Sequence, residues 1–267
     1  MRRPLAVAIL VVFSVLPVSV LARQSAQTPT VPTRDPQAIA ILNRSLAAMG
    51  GQGIAAIQDT VVKGTVSSLG NQDPTTGDVT ITTKGTSMIR TDAAGGGKNS
   101  SVIFNSGREM RDLGRGWQKA PSGNANQKRI EHLPALMLAY EVVRNELSAE
   151  YVGEESIAGR AVFHLRLARV SNMGNASDET FTRNSRMDVF LDAQTYLITK
   201  ISYLLLSEID LRLGMPVDIY YDDYRVMNGL AVPFHQRYFF NGQPTNQLQL
   251  TSVAVNQGTP DSKFEAQ

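Results

Sequence analysis

The chain has 267 residues and no cysteine, and its 26 basic and 24 acidic residues give a formal net charge of +2. Two of the basic residues, Arg2 and Arg3, belong to an N-terminal leader, so the remainder of the chain is close to neutral. A neutral chain lacks the basic surface that nucleic-acid binding requires, and we exclude that class of partner. Disulfides are absent, yet a domain of roughly 200 residues can bury an adequate core without them.

Residues 1–22 have the layout of a secretory signal peptide. Two arginines precede an apolar run at residues 5–16, and Ala22 is a small residue at a plausible cleavage point. The alternative is a retained membrane anchor, but Pro17 interrupts the run before it reaches the roughly 20 apolar residues of a spanning helix. We predict a bacterial periplasmic or secreted protein with no stable membrane span after cleavage. Since cysteine is absent, we expect no lipid anchor at the signal junction.

A flexible tether and then a helix are predicted after the leader. Residues 23–36 are polar, proline-rich and non-periodic. Asp35 can cap the helix, Pro36 suits its first position, and apolar residues recur at helical spacing until Gly50 and Gly51 end it. We predict one domain over residues 37–267.

Beyond that helix the hydrophobic period changes to two. Val79, Ile81, Thr83 and Ile89 are predicted to share one face of a hairpin, and further alternating runs begin at residues 160, 186, 197 and 246. Glycine-rich turn signals separate these runs. About ten such strands predict an antiparallel sheet with one wet face and one covered face, which must curl, close or split.

One further segment, residues 133–147, is predicted to be helical. Pro134 lies near its first position, and its apolar residues point nearly all round the helix axis. Such a helix is either a core element lying on the sheet or a cover over an apolar ligand, and the residues alone favour the core element. Two helices against a curled antiparallel sheet predict a single α+β domain.

The sequence carries no strong signature of catalysis, of a cofactor or of a metal. Residues 93–101 faintly resemble a phosphate-binding loop but lack its glycine spacing and its Ser or Thr ligand. His132, His164 and His235 do not have the spacing of zinc ligands, and no nucleophile elbow is present. We therefore predict a protein that is not an enzyme and that has no cofactor and no metal site. Trp117, the only tryptophan, either packs in a core or lines a pocket.

Asp222 and Asp223 form the most conspicuous polar cluster, because three tyrosines surround them. Carboxylates this close could hold a divalent metal or act as an acid and base together with His235. Adjacent residues of a strand point to opposite faces, which disfavours a shared site. Pro233 hints at a bulge that would keep the metal alternative open.

The turn that follows this cluster predicts its partners. Asn228-Gly229 is a strong signal for a type I′ turn between two strands. Counting outward from it gives the cross-strand pairs Met227–Leu230, Asp222–His235 and Tyr220–Arg237. We interpret the segment as a hairpin whose charged and aromatic pairs stabilise the sheet.

The order of several segments resembles a known family. The chain contains, in this order, DPQAIAILNRSLAAMGG, LPALML, VFLDAQTYLITKISY, YDDYRVMNGLAVPF and VNQGTPDSKFEAQ. This order resembles the periplasmic lipoprotein-carrier superfamily of LolA, LolB and RseB, and in particular its outer membrane lipoprotein-sorting protein-like branch. The resemblance covers residues from about 35 to 264. It implies a single strongly curved antiparallel sheet, a half-open β-barrel, with helices forming a lid over a concave face that holds acyl chains.

The resemblance implies a set of ligand-binding residues. Those implied to cover the ligand are Leu133, Leu136, Met137, Tyr140 and Val143. Those implied to form the cavity wall are Phe163, Leu165, Leu167, Ile201, Tyr203 and Leu205, and we add Trp117 as a candidate pocket residue. Carriers of this kind hold the lid with an arginine from an early strand, for which Arg90 and Lys63 are the candidates. The implied partners are a lipid or the acyl chains of a lipoprotein, and the alternative is an interaction or sensor module that binds another envelope protein.

Overall fold

The computed structural model describes residues 32–69, 75–120, 129–171, 177–207 and 213–266; the predicted signal peptide and residues 23–31 of the predicted tether lie outside them. The helices are α1 (Pro36–Met49), α2 (Pro134–Val142) and α3 (Ser177–Ser185), and 3₁₀ helices span Gly51–Ala56 and Asp261–Phe264. The strands are β1 (Asp59–Ser68), β2 (Thr76–Lys84), β3 (Met88–Gly95), β4 (Lys98–Asn105), β5 (Arg108–Asp112), β6 (Gln118–Lys119), β7 (Leu147–Ile157), β8 (Arg160–Arg169), β9 (Met187–Asp192), β10 (Ile198–Leu206), β11 (Gly214–Met227), β12 (Leu230–Phe240) and β13 (Gln243–Val255).

These strands form one antiparallel sheet. Their order is β6-β5-β4-β3-β2-β1-β13-β12-β11-β10-β9-β8-β7. Because β6 and β7 are the two edges and do not pair with each other, the sheet is open and not a closed barrel. The predicted fold class, a curved antiparallel sheet with helices on its concave face, is confirmed, with thirteen described strands where about ten were expected.

The start of α1 follows the prediction. The side chain of Asp35 accepts a hydrogen bond from the Gln37 N–H, and Pro36 is the first helical residue. Residues 33–35, which belong to the predicted tether, lie along the edge strand β7. The Ala149 N–H donates to the Thr33 carbonyl at 2.7 Å, and the Asp35 N–H donates to the Ala149 carbonyl at 3.0 Å.

The second helix is shorter than predicted, since α2 ends at Val142 and not near residue 147. The chain turns after Val143, and the Leu147 N–H donates to the Arg144 carbonyl at 3.2 Å. Leu147 then begins β7, where it is 1% exposed. Its apolar side chain belongs to the period of the strand, which the sequence pattern did not separate from that of the helix.

The main core lies between the helices and the concave face of the sheet. Val79 and Ile81 point into it, and Ile89 lies opposite Thr83, so the predicted common face of this hairpin is confirmed. α1 packs on β7 and β12, and α2 packs on β12 and on α1. We call β3–β6, residues 88–119, the wing. The C-terminal 3₁₀ helix packs on β3 and β4 of the wing.

Candidate functional site

The predicted lid helix packs tightly on the concave face. Leu133, Leu136 and Met137 are each at most 2% exposed, and they belong to the same core as the strands below. Tyr140 is half-buried against that core. Val143 is 78% exposed, because the helix has ended and the residue faces outward. The structure therefore brings four of the five predicted lid residues together and leaves Val143 outside.

The predicted wall residues all lie beneath these helices. Leu165, Leu167 and Ile201 are buried, and Phe163, Tyr203 and Leu205 are partly buried against the same core. Phe163 also contacts the Tyr196 ring, with centroids 5.6 Å apart. These side chains and those of the helices belong to one cluster of packed residues.

Trp117 lies far from this cluster, on the wing. The Arg90 guanidinium lies over its ring at 5.8 Å from the centroid. Arg90 also donates to Asp92 at 2.9 Å and to the Lys263 carbonyl at 3.1 Å. Arg90 thus holds the C-terminal segment and not α2, which corrects its expected role. Lys63, the other candidate, is exposed on β1.

Buried polar groups hold the residues that precede α2 against the sheet. The Tyr221 hydroxyl donates to the Glu131 carbonyl at 2.9 Å, and the Gln236 Nε2 donates to the His132 carbonyl at 3.0 Å. The Tyr238 hydroxyl donates to the Gln236 Oε1 at 3.2 Å and so orients that amide. Burial raises the pKa of Tyr221 and of Tyr238 well above the ordinary value, so both hydroxyls remain protonated donors. We call these bonds the hinge contacts.

The His132 side chain lies in the same place without an equivalent partner. It is 6% exposed, and its Nε2 has no hydrogen-bond partner among the described residues. Burial lowers the pKa of His132 to about 3, because a charged imidazole would lose its hydration there. The imidazole beside the start of α2 is therefore neutral at ordinary pH.

A buried ion pair fastens the other end of α2. The Arg169 Nε of β8 donates to the Glu141 Oε2 at 2.8 Å, and a second contact joins Arg169 Nη2 to Glu141 Oε1. Burial alone would raise the pKa of Glu141, but the hydrogen bond and charge of Arg169 lower it, so the carboxylate is ionised. This pair was not predicted from the sequence. A single acid inside an otherwise apolar helix was the available signal, because acids are rarely buried unless they are paired.

Next to the covered region, the concave side of β1–β4 is open. It contains a cavity of about 520 Å³, lined by residues that include Val66, Gly77, Ala93, Gly95, Ser100 and Leu113. Gly77 pairs directly with Gly95. A Cβ at Gly77 would lie 2.5 Å from the Ala94 carbonyl oxygen, so only glycine allows this approach of β2 and β3. We call this cavity, which was not predicted from the sequence, the open trough.

Asp222 and Asp223 form ion pairs with different arginines. Asp222 Oδ2 lies 3.0 Å from the Arg237 Nη2, whereas Asp223 Oδ2 lies 2.6 Å from the Arg225 Nη2. The predicted pairs Met227–Leu230, Asp222–His235 and Tyr220–Arg237 are confirmed. The register is the same on both sides of Asp223, so no bulge shifts it there, but Asp223 has a positive φ of 51° and does not pair with Phe234. Over the described residues, no group of three or more histidine, aspartate or glutamate side chains could hold a metal ion.

Comparisons with known proteins agree on the fold. No family model matches the sequence, and no curated protein matches it either. A domain named as an outer membrane lipoprotein-sorting protein from Vibrio parahaemolyticus has 11% identity and a TM-score of 0.53, covering 85% of this chain and 96% of that one. A DUF1329 family protein from Desulfovibrio piger has 14% identity and a TM-score of 0.55, covering 88% and 98%. A LolA superfamily protein from Nitrosomonas europaea has 10% identity and a TM-score of 0.54, covering 85% and 97%.

These similarities establish that the chain has the LolA-like fold, as the order of its segments implied. Identities this low speak to the fold alone. Among the described helices, none is long and apolar enough to cross a membrane.

Proposed function

We propose that this protein is an exported, non-enzymatic carrier that binds a lipid, or the acyl chains of a lipoprotein, on the concave face of its sheet. The observation that carries the proposal is that the open trough adjoins the main core, to which the buried side chains of α2 belong. Val66 and Ala93 line the trough and also pack against the main core. A cavity of about 520 Å³ is within the range of small-molecule sites, roughly 300–1,000 Å³.

The arrangement of α2 suits a lid that yields to an apolar ligand. An acyl chain that entered from the open trough would replace the apolar contacts of α2 with contacts of the same kind, and it would gain about 0.8 kcal/mol for each methylene removed from water. The hinge contacts use the main-chain carbonyls of Glu131 and His132, which precede α2, so these bonds can persist while α2 moves. The Glu141–Arg169 pair then acts as the fastening that must open.

The fold and the leader support the same proposal. The fold is shared with a domain named for lipoprotein sorting. The signal peptide predicted at residues 1–22 would deliver the chain to the bacterial periplasm, where acylated proteins and free lipids need an apolar cover. The paired arginines at Asp222 and Asp223 support a non-enzymatic role for that hairpin.

Binding of cis-parinaric acid, a fluorescent fatty acid, to delipidated protein tests the proposal. Val66→Asp puts a charge into the open trough, and we expect it to weaken binding at least about tenfold, because an unpaired carboxylate opposes an apolar chain. Thr65→Asp is the matched control, since the neighbouring side chain points to the other face of β1. Equal binding by the two variants, or a protein that binds no probe and carries no lipid in native mass spectrometry, would refute the proposal.

A further inference from the structure

The two edges of the open sheet carry opposite charge. Residues 88–120, which contain the wing, have six basic and three acidic side chains. Residues 145–157, which contain β7, have four acidic side chains and no basic one. Because β6 and β7 are the opposite edges of the sheet, a chain that is nearly neutral as a whole has a basic side and an acidic side.

Two of the three acids of the wing pair with arginines, which leaves four cations against the single carboxylate of Asp112. Asp92 accepts hydrogen bonds from Arg90, and Glu109 pairs with Arg111. Asp112 Oδ1 accepts from the three N–H groups of residues 114–116, at 2.9 to 3.1 Å. By contrast, Lys98, Arg115 and Lys119 are exposed, and they form no ion pair with any acid in the described part of the chain.

An apolar side chain projects among these cations. Leu113 is 68% exposed at the turn between β5 and β6. It lines the open trough together with Lys98, and a neighbouring cavity of about 430 Å³ together with Arg115 and Lys119. The bonds to Asp112 and the positive φ of Gly114 (85°) fix the turn, so Leu113 is held outward. We call Lys98, Leu113, Arg115 and Lys119 the docking edge.

We propose that the docking edge binds the surface of a bilayer rich in anionic phospholipid. An exposed leucine between cations matches the interface of such a bilayer, where the apolar side chain enters the acyl boundary and the cations meet phosphates. An acidic protein would use the same cations, but a specific protein interface needs a larger apolar core than a single leucine supplies. Since Lys98 and Leu113 also line the open trough, binding through the docking edge brings that side of the trough toward the lipid. This proposal does not depend on the carrier function.

Flotation with lipid vesicles tests the proposal on the mature chain. We compare vesicles of phosphatidylethanolamine with phosphatidylglycerol against vesicles of phosphatidylcholine alone, at low and at physiological salt. The protein should float only with the anionic vesicles and less at higher salt. The double variant Arg115→Gln with Lys119→Gln should reduce the partition coefficient about 30-fold. This factor follows because each basic residue near an anionic surface contributes about 1 kcal/mol to binding. Leu113→Ser should reduce it about tenfold.

Matched variants on other surfaces show whether a loss of vesicle binding is specific to the docking edge. Val226→Ser removes a side chain that is 76% exposed on β11, and Lys63→Gln removes an exposed cation of β1. Both should float like the parent protein, and all variants should keep the parent circular dichroism spectrum. The Arg115→Gln/Lys119→Gln variant and the two controls should also keep parinaric acid binding, because none of these side chains lines the open trough. The proposal fails if anionic vesicles do not bind the protein, which would favour an acidic protein partner. It fails equally if the control variants lose as much binding as those of the docking edge.

Discussion

His132 lies buried at the start of α2 as a neutral imidazole, with a pKa that burial lowers to about 3. An unfolded histidine titrates near pH 6.5, so below that pH the unfolded chain binds a proton that the folded chain does not. The free energy of unfolding should therefore fall as the pH drops from about 6.5 toward 3, by at most about 1.4 kcal/mol per pH unit. Stability falls with falling pH because folding lowers the pKa of this imidazole, and only its neutral form is buried.

His132→Leu should remove this contribution, because leucine fills a similar volume and takes up no proton. Urea unfolding at pH 6.5 and at pH 5 measures the effect. We expect the parent protein to lose about 2 kcal/mol more than the variant over that interval. His164 and His235 are present in both proteins, so the difference isolates His132. Parallel stability curves for the two proteins would contradict the expectation.

The Glu141–Arg169 pair gives a second test at the scale of single residues. Arg169→Met leaves the Glu141 carboxylate, only 5% exposed, without its main partner, and should destabilise the fold by about 3 kcal/mol. The double variant Glu141→Leu with Arg169→Met removes both charges and should recover most of that loss. Chemical denaturation measures all three proteins. If the double variant is no more stable than Arg169→Met alone, the pair does not fasten α2 in the way we describe.

At the scale of elements, the C-terminal segment is fixed by one carboxylate at the start of β1. Asp59 accepts hydrogen bonds from the N–H groups of Gln257, Gly258 and Thr259 and from the Thr259 hydroxyl. Burial alone would raise the pKa of Asp59, but these four bonds lower it below the usual value. These hydrogen bonds stabilise the fold fully at a pH above the ordinary pKa of an aspartate. The stabilisation is lost as the pH falls through the lowered pKa of Asp59 in the folded protein.

Asp59→Asn should release this segment, because an amide offers one acceptor oxygen where the carboxylate offers two. We expect a loss of about 2 kcal/mol in the free energy of unfolding. Trp117 reports on the event, since it is the only tryptophan and Arg90 links it to the Lys263 carbonyl. Its fluorescence should shift in Asp59→Asn but not in Asp261→Asn, which removes only an exposed pair with Lys84. A shift of equal size in both variants would contradict the role of Asp59.

Elements whose signals are local could be predicted from the sequence. The start of α1 followed from Asp35 and Pro36, and the pairing of β11 with β12 followed from the Asn228-Gly229 turn. The end of α2 could not be predicted, because the apolar Leu147 fits a helical pattern and a strand pattern equally well. The buried pair of Glu141 with Arg169 joins residues 28 positions apart, and the meeting of Gly77 with Gly95 depends on the close approach of two strands. The lid and wall residues were implied by the family resemblance of their segments, and they lie together in the core; the open trough depends on how the sheet is assembled.

At the scale of the whole molecule, a sheet this wide must protect its edges from pairing with other chains. The strand β6 has only two residues. Residues 33–35 cover part of β7, the register of β7 shifts between Tyr151 and Gly153, and its exposed end is acidic. Short edges, bulges, charges and covering segments are the devices that prevent edge-to-edge association. With these devices the sheet can remain open without pairing with other chains.

The two sides of this sheet should differ in local stability. Strands β8–β12 lie with the helices in the main core, whereas the buried apolar side chains of β3–β5 are Ile103 and Phe104 alone. Regions with few buried apolar contacts open at lower free energy than the global transition. In hydrogen exchange at pH 7 we expect the amides of β3–β5 to exchange at least about tenfold faster than those of β8–β10.

The C-terminal segment should control that difference, because its 3₁₀ helix buries Phe264 against β3 and β4. Asp59→Asn should therefore speed amide exchange in β3–β5 further. The amides of β8–β10 should still exchange only through global unfolding of the variant. Uniform protection across the sheet would mean that the wing unfolds only with the rest of the molecule. A wing that opens locally would let the open trough widen for a ligand without disturbing the core under α2.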